Sequence, residues 1–77
     1  MIDLKVEVRL FATFREGREK KYFLDMPEGS KILDILDMLK INADEVSILL
    51  LNGRDGDAMR TINDSDVVAV FPPVGGG

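Results

Sequence analysis

The segment of this chain with the most suggestive chemistry is FPPVGGG, residues 71–77. Two consecutive prolines favour a stiff, extended exit from the preceding element. Glycines carry no side chain, so a narrow channel can grip their backbone closely. Extended at 3.3–3.6 Å per residue, residues 72–77 reach about 20 Å, far enough to deliver a terminal carboxylate into another protein's active site. Once ATP has converted that carboxylate into an acyl-adenylate, a sulfur or nitrogen nucleophile can attack it. The alternative interpretation is an idle, frayed glycine end.

The rest of the composition lacks the usual catalytic groups. The 77 residues include no histidine and no cysteine, which removes the commonest general base, thiolate nucleophiles, thiolate metal sites and disulfides. The net charge is -4, from 14 acidic and 10 basic residues. This balance argues against a nucleic-acid binder, which needs basic surface to neutralise phosphates. The composition therefore predicts a protein that binds something or is itself acted upon, rather than an enzyme.

Targeting and membrane-spanning segments are not recognisable in the sequence. Residues 1–10 alternate between polar and apolar types instead of forming the long apolar core of a signal peptide. No apolar run approaches the length needed to cross a bilayer. We therefore expect a cytoplasmic protein that does not bind membranes.

Four stretches predict β-strands. Residues 2–10 alternate apolar and polar side chains, and residues 20–26 do so again after a loop, which is typical of half-buried strands. Residues 46–51 and 67–71 are rich in apolar side chains on both sides. The Asn-Gly pair at residues 52–53 predicts a tight turn, followed by a loop with a short pairing segment.

One helix is predicted between the second and third strands. Ser30 stands at the N-cap position, where its hydroxyl can accept from the orphan amides of the first turn. Apolar residues recur at helical spacing across residues 32–39, with Asp34 and Asp37 on the opposite side. This pattern predicts an amphipathic helix of about three turns.

The order of these elements predicts an α+β domain over residues 1–71 and a flexible tail over residues 72–77. Order and size match the ubiquitin-like β-grasp fold, a mixed sheet of four to five strands with one main helix packed on one face. We expect the first and last strands to pair in parallel at the centre of the sheet. A ferredoxin-like fold needs a second helix, and residues 52–66 offer no apolar helical stripe.

A single helix leaves one face of the predicted sheet uncovered. Residues 48–51 and 67–71 are apolar on both faces, so part of this apolar surface faces away from the helix. Either loops or solvent cover it, as for many ordinary surfaces, or it forms an apolar patch near Phe71 that docks a protein partner.

Two charged clusters also suggest sites. The four aspartates within residues 55–66 lack the spacing of an EF-hand loop, and Asp suits turns on its own, so we predict no metal site. A basic cluster within residues 15–21 is interpreted as a solvated loop or as a docking site for an acidic partner. Its members are Arg15, Arg18, Lys20 and Lys21.

Four segments spread through the chain resemble the MoaD/ThiS family of sulfur carriers, of the molybdopterin-synthase small-subunit type. A terminal Gly-Gly alone would be weak evidence. The Asp-x-Asp turn, the apolar strand and the Pro-Pro-Val-x-Gly-Gly ending together form a specific signature. The matching segments, in the family's order, are RLFATFREGR at 9–18, PEGSKILDIL at 27–36, LLLNGR at 49–54 and INDSDVVAVFPPVGGG at 62–77.

The resemblance implies a protein cosubstrate with no bound cofactor. A ubiquitin-activating-type adenylyltransferase would use ATP to adenylate Gly77, and a sulfurtransferase would then convert the adenylate into a thiocarboxylate. The sulfur would pass to the dithiolene of a molybdenum or tungsten pterin cofactor, with the molybdopterin synthase large subunit as a further partner. Gly76 and Gly77 carry over as the functional pair. The implied partner-binding and tail-projecting residues are Phe71, Pro72, Pro73, Val74 and Gly75.

Two further roles stay open at this point. Gly75 stands where molybdopterin carriers more often have alanine or serine, and the Val-Gly-Gly-Gly ending is similar to some thiamine-type carriers, which pass sulfur to a thiazole ring. Alternatively, a lysine amine captures the activated Gly77, which would make the chain a ubiquitin-like protein modifier. An interaction module with an idle tail would show no ATP-dependent change at Gly77.

Overall fold

The computed structural model describes residues 3–73. Its five strands form one sheet, in the order β2-β1-β5-β3-β4. Single-turn 3₁₀ segments occupy Ala12–Arg15 and Ala43–Glu45. The strands and the helix are β1 Asp3–Leu10, β2 Lys21–Pro27, α1 Ile32–Met38, β3 Ile48–Leu51, β4 Arg54–Asp55 and β5 Val67–Phe71.

The centre of the sheet is the parallel pair β1 and β5, in which Glu7 lies opposite Val67 and Leu10 opposite Val70. β2 pairs with β1 and β3 pairs with β5, both antiparallel. The predicted parallel pairing of the first and last strands is therefore confirmed, and so is the β-grasp architecture with five strands and one helix. Within residues 3–73, no helix is long and apolar enough to cross a membrane.

The hydrophobic core lies between α1 and one face of the sheet. Because successive side chains of a strand point to opposite faces, the even-numbered positions of β1 and β5 share the face that α1 covers. Side chains from all three elements are fully or almost fully buried in this core: Leu4, Val6, Val8, Leu10, Ile32, Ile35, Leu36, Val68 and Val70.

The helix begins later than predicted. The N-cap is Lys31, whose backbone N–H donates to the Asp34 carboxylate at 2.8 Å. Ser30 instead belongs to the preceding turn, where its hydroxyl donates to the carbonyl of Pro27 at 2.6 Å. The prediction of Ser30 as N-cap is therefore wrong by one residue, because the turn from Pro27 engages this hydroxyl first.

The helix also ends sooner than predicted. It has seven residues, about two turns at 3.6 residues per turn. Lys40 adopts a left-handed φ of 58°, which an α-helix cannot continue through. The Arg18 guanidinium donates to the carbonyls of Leu39 and Lys40, each at 3.1 Å, and so satisfies acceptors that a longer helix would have used.

The third strand is shorter than the predicted residues 46–51 and begins at Ile48, after the Ala43–Glu45 turn. Asn52 and Gly53 follow it with left-handed φ values of 52° and 83°, as a tight hairpin turn requires. The predicted turn and the short pairing segment after it, β4, are therefore confirmed.

Candidate functional site

The described chain leaves the sheet at the end of its central strand β5. Phe71 is the last residue of this strand, and its carbonyl accepts from the Ser47 N–H at 2.8 Å. Pro72 is half-buried and Pro73 is exposed. Proline has no N–H to donate to a neighbouring strand, so the ladder ends there. Pro72 and Pro73 therefore leave the sheet at this point.

An aromatic pair flanks this exit. The rings of Phe11 and Phe71 stack with their centroids 4.2 Å apart and their planes 8° apart. The Arg15 guanidinium carbon lies 5.1 Å from the centroid of the Phe11 ring, within the range of a cation–π contact. The sequence interpretation missed Phe11, although the residue occupies the next odd position after Lys5, Glu7 and Arg9 of β1.

A continuous apolar surface extends from this pair across β5 and β3, on the face opposite α1. Phe71 lies opposite Ile48, and Ala69 lies opposite Leu50. Ile48 is 42% exposed, whereas Leu50 and the odd-numbered β5 side chains are half-buried. We call this surface the exit patch, and its residues are Phe11, Ile48, Leu50, Val67, Ala69 and Phe71.

The same face is charged across β1 and β2. Glu7 pairs with Arg9 and lies 3.9 Å from the Lys21 ammonium group. Toward the other end of the strands, the Lys5 ammonium group donates to Asp25 at 3.0 Å. This hydrogen bond and the charge of Asp25 raise the pKa of Lys5 above its ordinary value. The uncovered face therefore has an apolar half next to the exit and a charged half beside it.

The predicted tail residues have different outcomes. The structure places Phe71, Pro72 and Pro73 together at the exit. Val74 and the glycines of residues 75–77, which include the proposed acyl-donating pair, lie outside the described residues. The chemistry assigned to Gly76 and Gly77 and the flexibility of the tail therefore stay predictions.

Three of the four aspartates of residues 55–66 accept hydrogen bonds at or beside turns, whereas Asp55 belongs to β4. Asp57 accepts from the Met59 N–H at 2.9 Å, and Asp64 accepts from the Lys5 N–H at 2.8 Å. Asp66 is buried and accepts from the side chain of Asn52 at 2.8 Å. In the described part of the chain, no group of three or more acidic side chains is placed to hold a metal ion.

Comparison with known protein families identifies the family to which the chain belongs. The family model described as ThiS family matches residues 8–77, nearly the whole chain. The chain belongs to the ThiS family. The resemblance inferred from the sequence is therefore confirmed.

Individual relatives of this ThiS-family chain differ in role. It is 33% identical over 92 aligned positions to Small archaeal modifier protein 3 of Haloferax volcanii, covering 96% of this chain and all of that one. A Pyrococcus furiosus protein assigned to subunit 1 of the molybdopterin-converting factor is 31% identical with a TM-score of 0.75, covering 92% of this chain and 99% of that chain.

A third relative was solved as part of a complex. It belongs to the complex of subunits 1 and 2 of the molybdopterin-converting factor of Helicobacter pylori, with 25% identity and a TM-score of 0.65, covering 96% of this ThiS-family chain and all of the matched one. The relatives thus include both modifiers and molybdopterin-factor subunits. The ThiS-family chain is a small ubiquitin-like domain of the sulfur-carrier and modifier type, consistent with a protein that is not an enzyme.

Proposed function

We propose that the chain is a sulfur carrier whose terminal Gly77 is adenylated and then converted into a thiocarboxylate. The sulfur would serve cofactor biosynthesis, with molybdopterin or tungstopterin as its product. The observation that carries this proposal is that Pro72 and Pro73, which begin the PPVGGG segment of the sequence, leave the central strand β5 directly beside the exit patch. A partner that covers this patch receives the tail at the same time.

The proposed chemistry needs nothing from this chain except its carboxylate and an accessible backbone. An oxygen of the Gly77 carboxylate attacks the α-phosphorus of ATP and displaces pyrophosphate, which forms the acyl-adenylate. The outer sulfur of a persulfide carried by a sulfurtransferase then attacks the carbonyl carbon, and AMP leaves. A thiol cleaves the S–S bond of the resulting acyl disulfide, which releases the thiocarboxylate and leaves a disulfide on the sulfurtransferase side. The activating enzyme provides the ATP site, while Pro72 and Pro73 aim the tail and the absence of side chains after Val74 lets the tail enter a channel.

Relatives support the proposed partners. The Helicobacter pylori relative forms a complex with subunit 2 of the same factor, so we include a molybdopterin synthase large subunit among the partners of this chain. The other proposed partners are a ubiquitin-activating-type adenylyltransferase and a sulfurtransferase, both of which the chemistry of the tail requires.

The second candidate function is protein modification through Gly77. The 33% identity to a small archaeal modifier protein favours it. In this reaction a lysine amine, instead of sulfur, attacks the same acyl-adenylate and forms an isopeptide bond as AMP leaves. A thiamine-type carrier would share the thiocarboxylate and differ only in passing its sulfur to a thiazole ring.

The test combines pyrophosphate exchange by the adenylyltransferase of the same organism with the intact mass of the product. We compare the natural chain with one that lacks Gly77 and one that carries an added residue after it. Because small misplacements of reacting atoms cost about 100-fold in rate, both variants should lose exchange by at least that factor. A chain with one residue added before Met1 is the matched control and should react normally.

Mass then separates the two candidate functions. A thiocarboxylate adds the mass difference between sulfur and oxygen, whereas conjugation gives an adduct with the mass of a second protein. Sulfur transfer from the purified thiocarboxylate to a pterin precursor, in the presence of the large subunit, would support the molybdopterin role. Normal exchange by the shortened or extended chains would show that the tail is not the site.

A further inference from the structure

A basic cleft adjoins the exit patch on the side of β1. It is an open depression of about 510 Å³, lined by Arg9, Phe11, Arg15, Lys20 and Lys21. Phe11 belongs to both surfaces, since it lines the cleft and stacks on Phe71. Any partner that covers the exit patch therefore also meets the edge of this cleft.

The charge of this basic cleft contrasts with the charge of the chain. Of the 10 lysines and arginines in a chain with a net charge of -4, four line the cleft, and none of its lining residues is acidic. Glu7 pairs with Arg9, and its carboxylate lies 3.9 Å from the Lys21 ammonium group. Among the ion pairs of residues 3–73, none includes Arg15 or Lys20. Two of the four cations of the cleft thus share one carboxylate, and the other two form no ion pair within residues 3–73.

The cleft is held in place by the fold, which distinguishes it from a loose solvated loop. The Arg15 guanidinium donates to the carbonyl of Leu10 at 2.7 Å and lies over the Phe11 ring. The Leu10 N–H donates to the carbonyl of Lys20 at 2.8 Å, which ties the end of the loop to β1. Arg9 and Lys21 lie opposite each other on paired strands. The fold therefore fixes the Arg15 guanidinium and the backbone positions from which the other cations extend.

We propose that the basic cleft binds an acidic segment, rich in Asp and Glu, on the adenylyltransferase that receives the tail. This inference rests on the proposed function and adds the chemistry of the partner surface. A protein fits better than a nucleic acid because the cleft is continuous with an apolar patch and the chain as a whole repels phosphate backbones. Opposite charges beside a docking patch raise the association rate and fix the orientation of the partner.

The experiment measures KM and kcat for the chain in pyrophosphate exchange by the adenylyltransferase of the same organism. The test variant is Lys20→Glu/Lys21→Glu, which reverses two cations of the cleft. We expect KM to rise about tenfold at low ionic strength, in line with lost electrostatic steering, while kcat stays unchanged. The increase should shrink as salt shortens the Debye length.

The matched control is Lys31→Glu/Arg54→Glu, which makes the same charge change at two exposed residues outside the cleft. Circular dichroism and thermal melts establish that both variants fold. An equal rise of KM in both variants would overturn the proposal in favour of overall charge, and an unchanged KM in the test variant would also overturn it.

Two further outcomes are distinct from these. If the natural chain supports no exchange at any concentration, the proposed function itself fails, and the assignment of the cleft to this partner fails with it. Fluorescence anisotropy with a labelled oligouridine tests the other class of ligand. Tight binding by the natural chain that the test variant loses would assign the cleft to nucleic acid and overturn the proposal.

Discussion

The two faces of the sheet use the same strands for different purposes. On the face under α1, β1 and β5 contribute Val8, Val68 and Val70, none of which is measurably exposed. On the other face, the alternate residues of the same strands are half-buried and apolar at Ala69 and Phe71 or charged at Arg9. One face thus stabilises the fold, and the other is available for partners. Along each of these strands, alternate residues therefore contribute either to the core or to a surface that a partner can contact.

The largest effect that we predict is a loss of stability from a substitution in the core, between α1 and the sheet face that it covers. Replacing Ile35, which is fully buried, by alanine should lower the free energy of unfolding by about 2–5 kcal/mol because it leaves a cavity in the core. Urea denaturation measures the loss. Binding to the adenylyltransferase, expressed per folded molecule, should not change. A loss in binding without a loss in stability would break the division between the faces.

An intermediate effect, on partner binding, is expected from a substitution on the open face, which is the sheet face opposite α1. Phe71→Ala should weaken binding to the adenylyltransferase by about 1–3 kcal/mol, typical of an aromatic interface anchor. Isothermal titration calorimetry measures the affinity, and urea denaturation of the same sample should show a smaller loss of stability than Ile35→Ala.

The matched control for this prediction is Phe23→Ala. Phe23 is 75% exposed on β2, on the same face of the sheet but outside the exit patch. We expect no change in affinity for this variant. Equal losses at Phe71 and Phe23 would show that the whole face binds, and a Phe71→Ala variant that fails to fold would assign Phe71 to the core.

The smallest effect is expected at the Lys5–Asp25 ion pair in the charged half of the open face. Both side chains are exposed, and exposed pairs contribute little to stability. Asp25→Asn should leave the melting temperature at pH 7 unchanged within error, as thermal circular dichroism would show. A clear loss at pH 7 would mean that this half of the face stabilises the fold.

The pH dependence of this small contribution has a definite sign. The pKa of Lys5 is raised above the ordinary 10.5 by the hydrogen bond to Asp25. The contribution is therefore complete below the ordinary pKa and is lost as pH rises through the raised value. Any difference between the natural chain and Asp25→Asn should close in melts recorded across that range, and a difference that widens there would contradict the assignment.

Local patterns predicted the elements that depend on nearby residues. The bounds of β5 follow from a run of apolar residues and from Pro72, which ends the ladder, and the parallel pairing with β1 follows from general rules of sheet topology. Contacts between distant residues were not predictable in this way. Arg18 limits the helix from 21 residues away in sequence, and the stacking of Phe11 on Phe71 depends on how two strands end.

In the candidate site, too, local sequence patterns predicted some features, whereas those that depend on distant contacts were missed. Glycine content and the proline pair pointed to the tail, and the apolar residues on both faces of residues 67–71 pointed to the face beside it. The basic cluster was recognised, but the sequence could not show which cations meet. The structure brings Arg9 into the cleft with Lys20 and Lys21, while Arg18 turns away to the carbonyls that follow α1.

The parallel pair at the centre of the sheet also affects which molecules a partner can recognise, because it links docking to complete folding. Glu7 and Val67 are 60 residues apart in sequence, and contacts of such long range form late because closing the chain costs entropy first. The stacked pair of Phe11 and Phe71 lies at the end of these two strands, so a chain without the central pairing presents no assembled docking surface. An activating enzyme that grips this surface would thereby select finished molecules and pass over nascent or damaged ones.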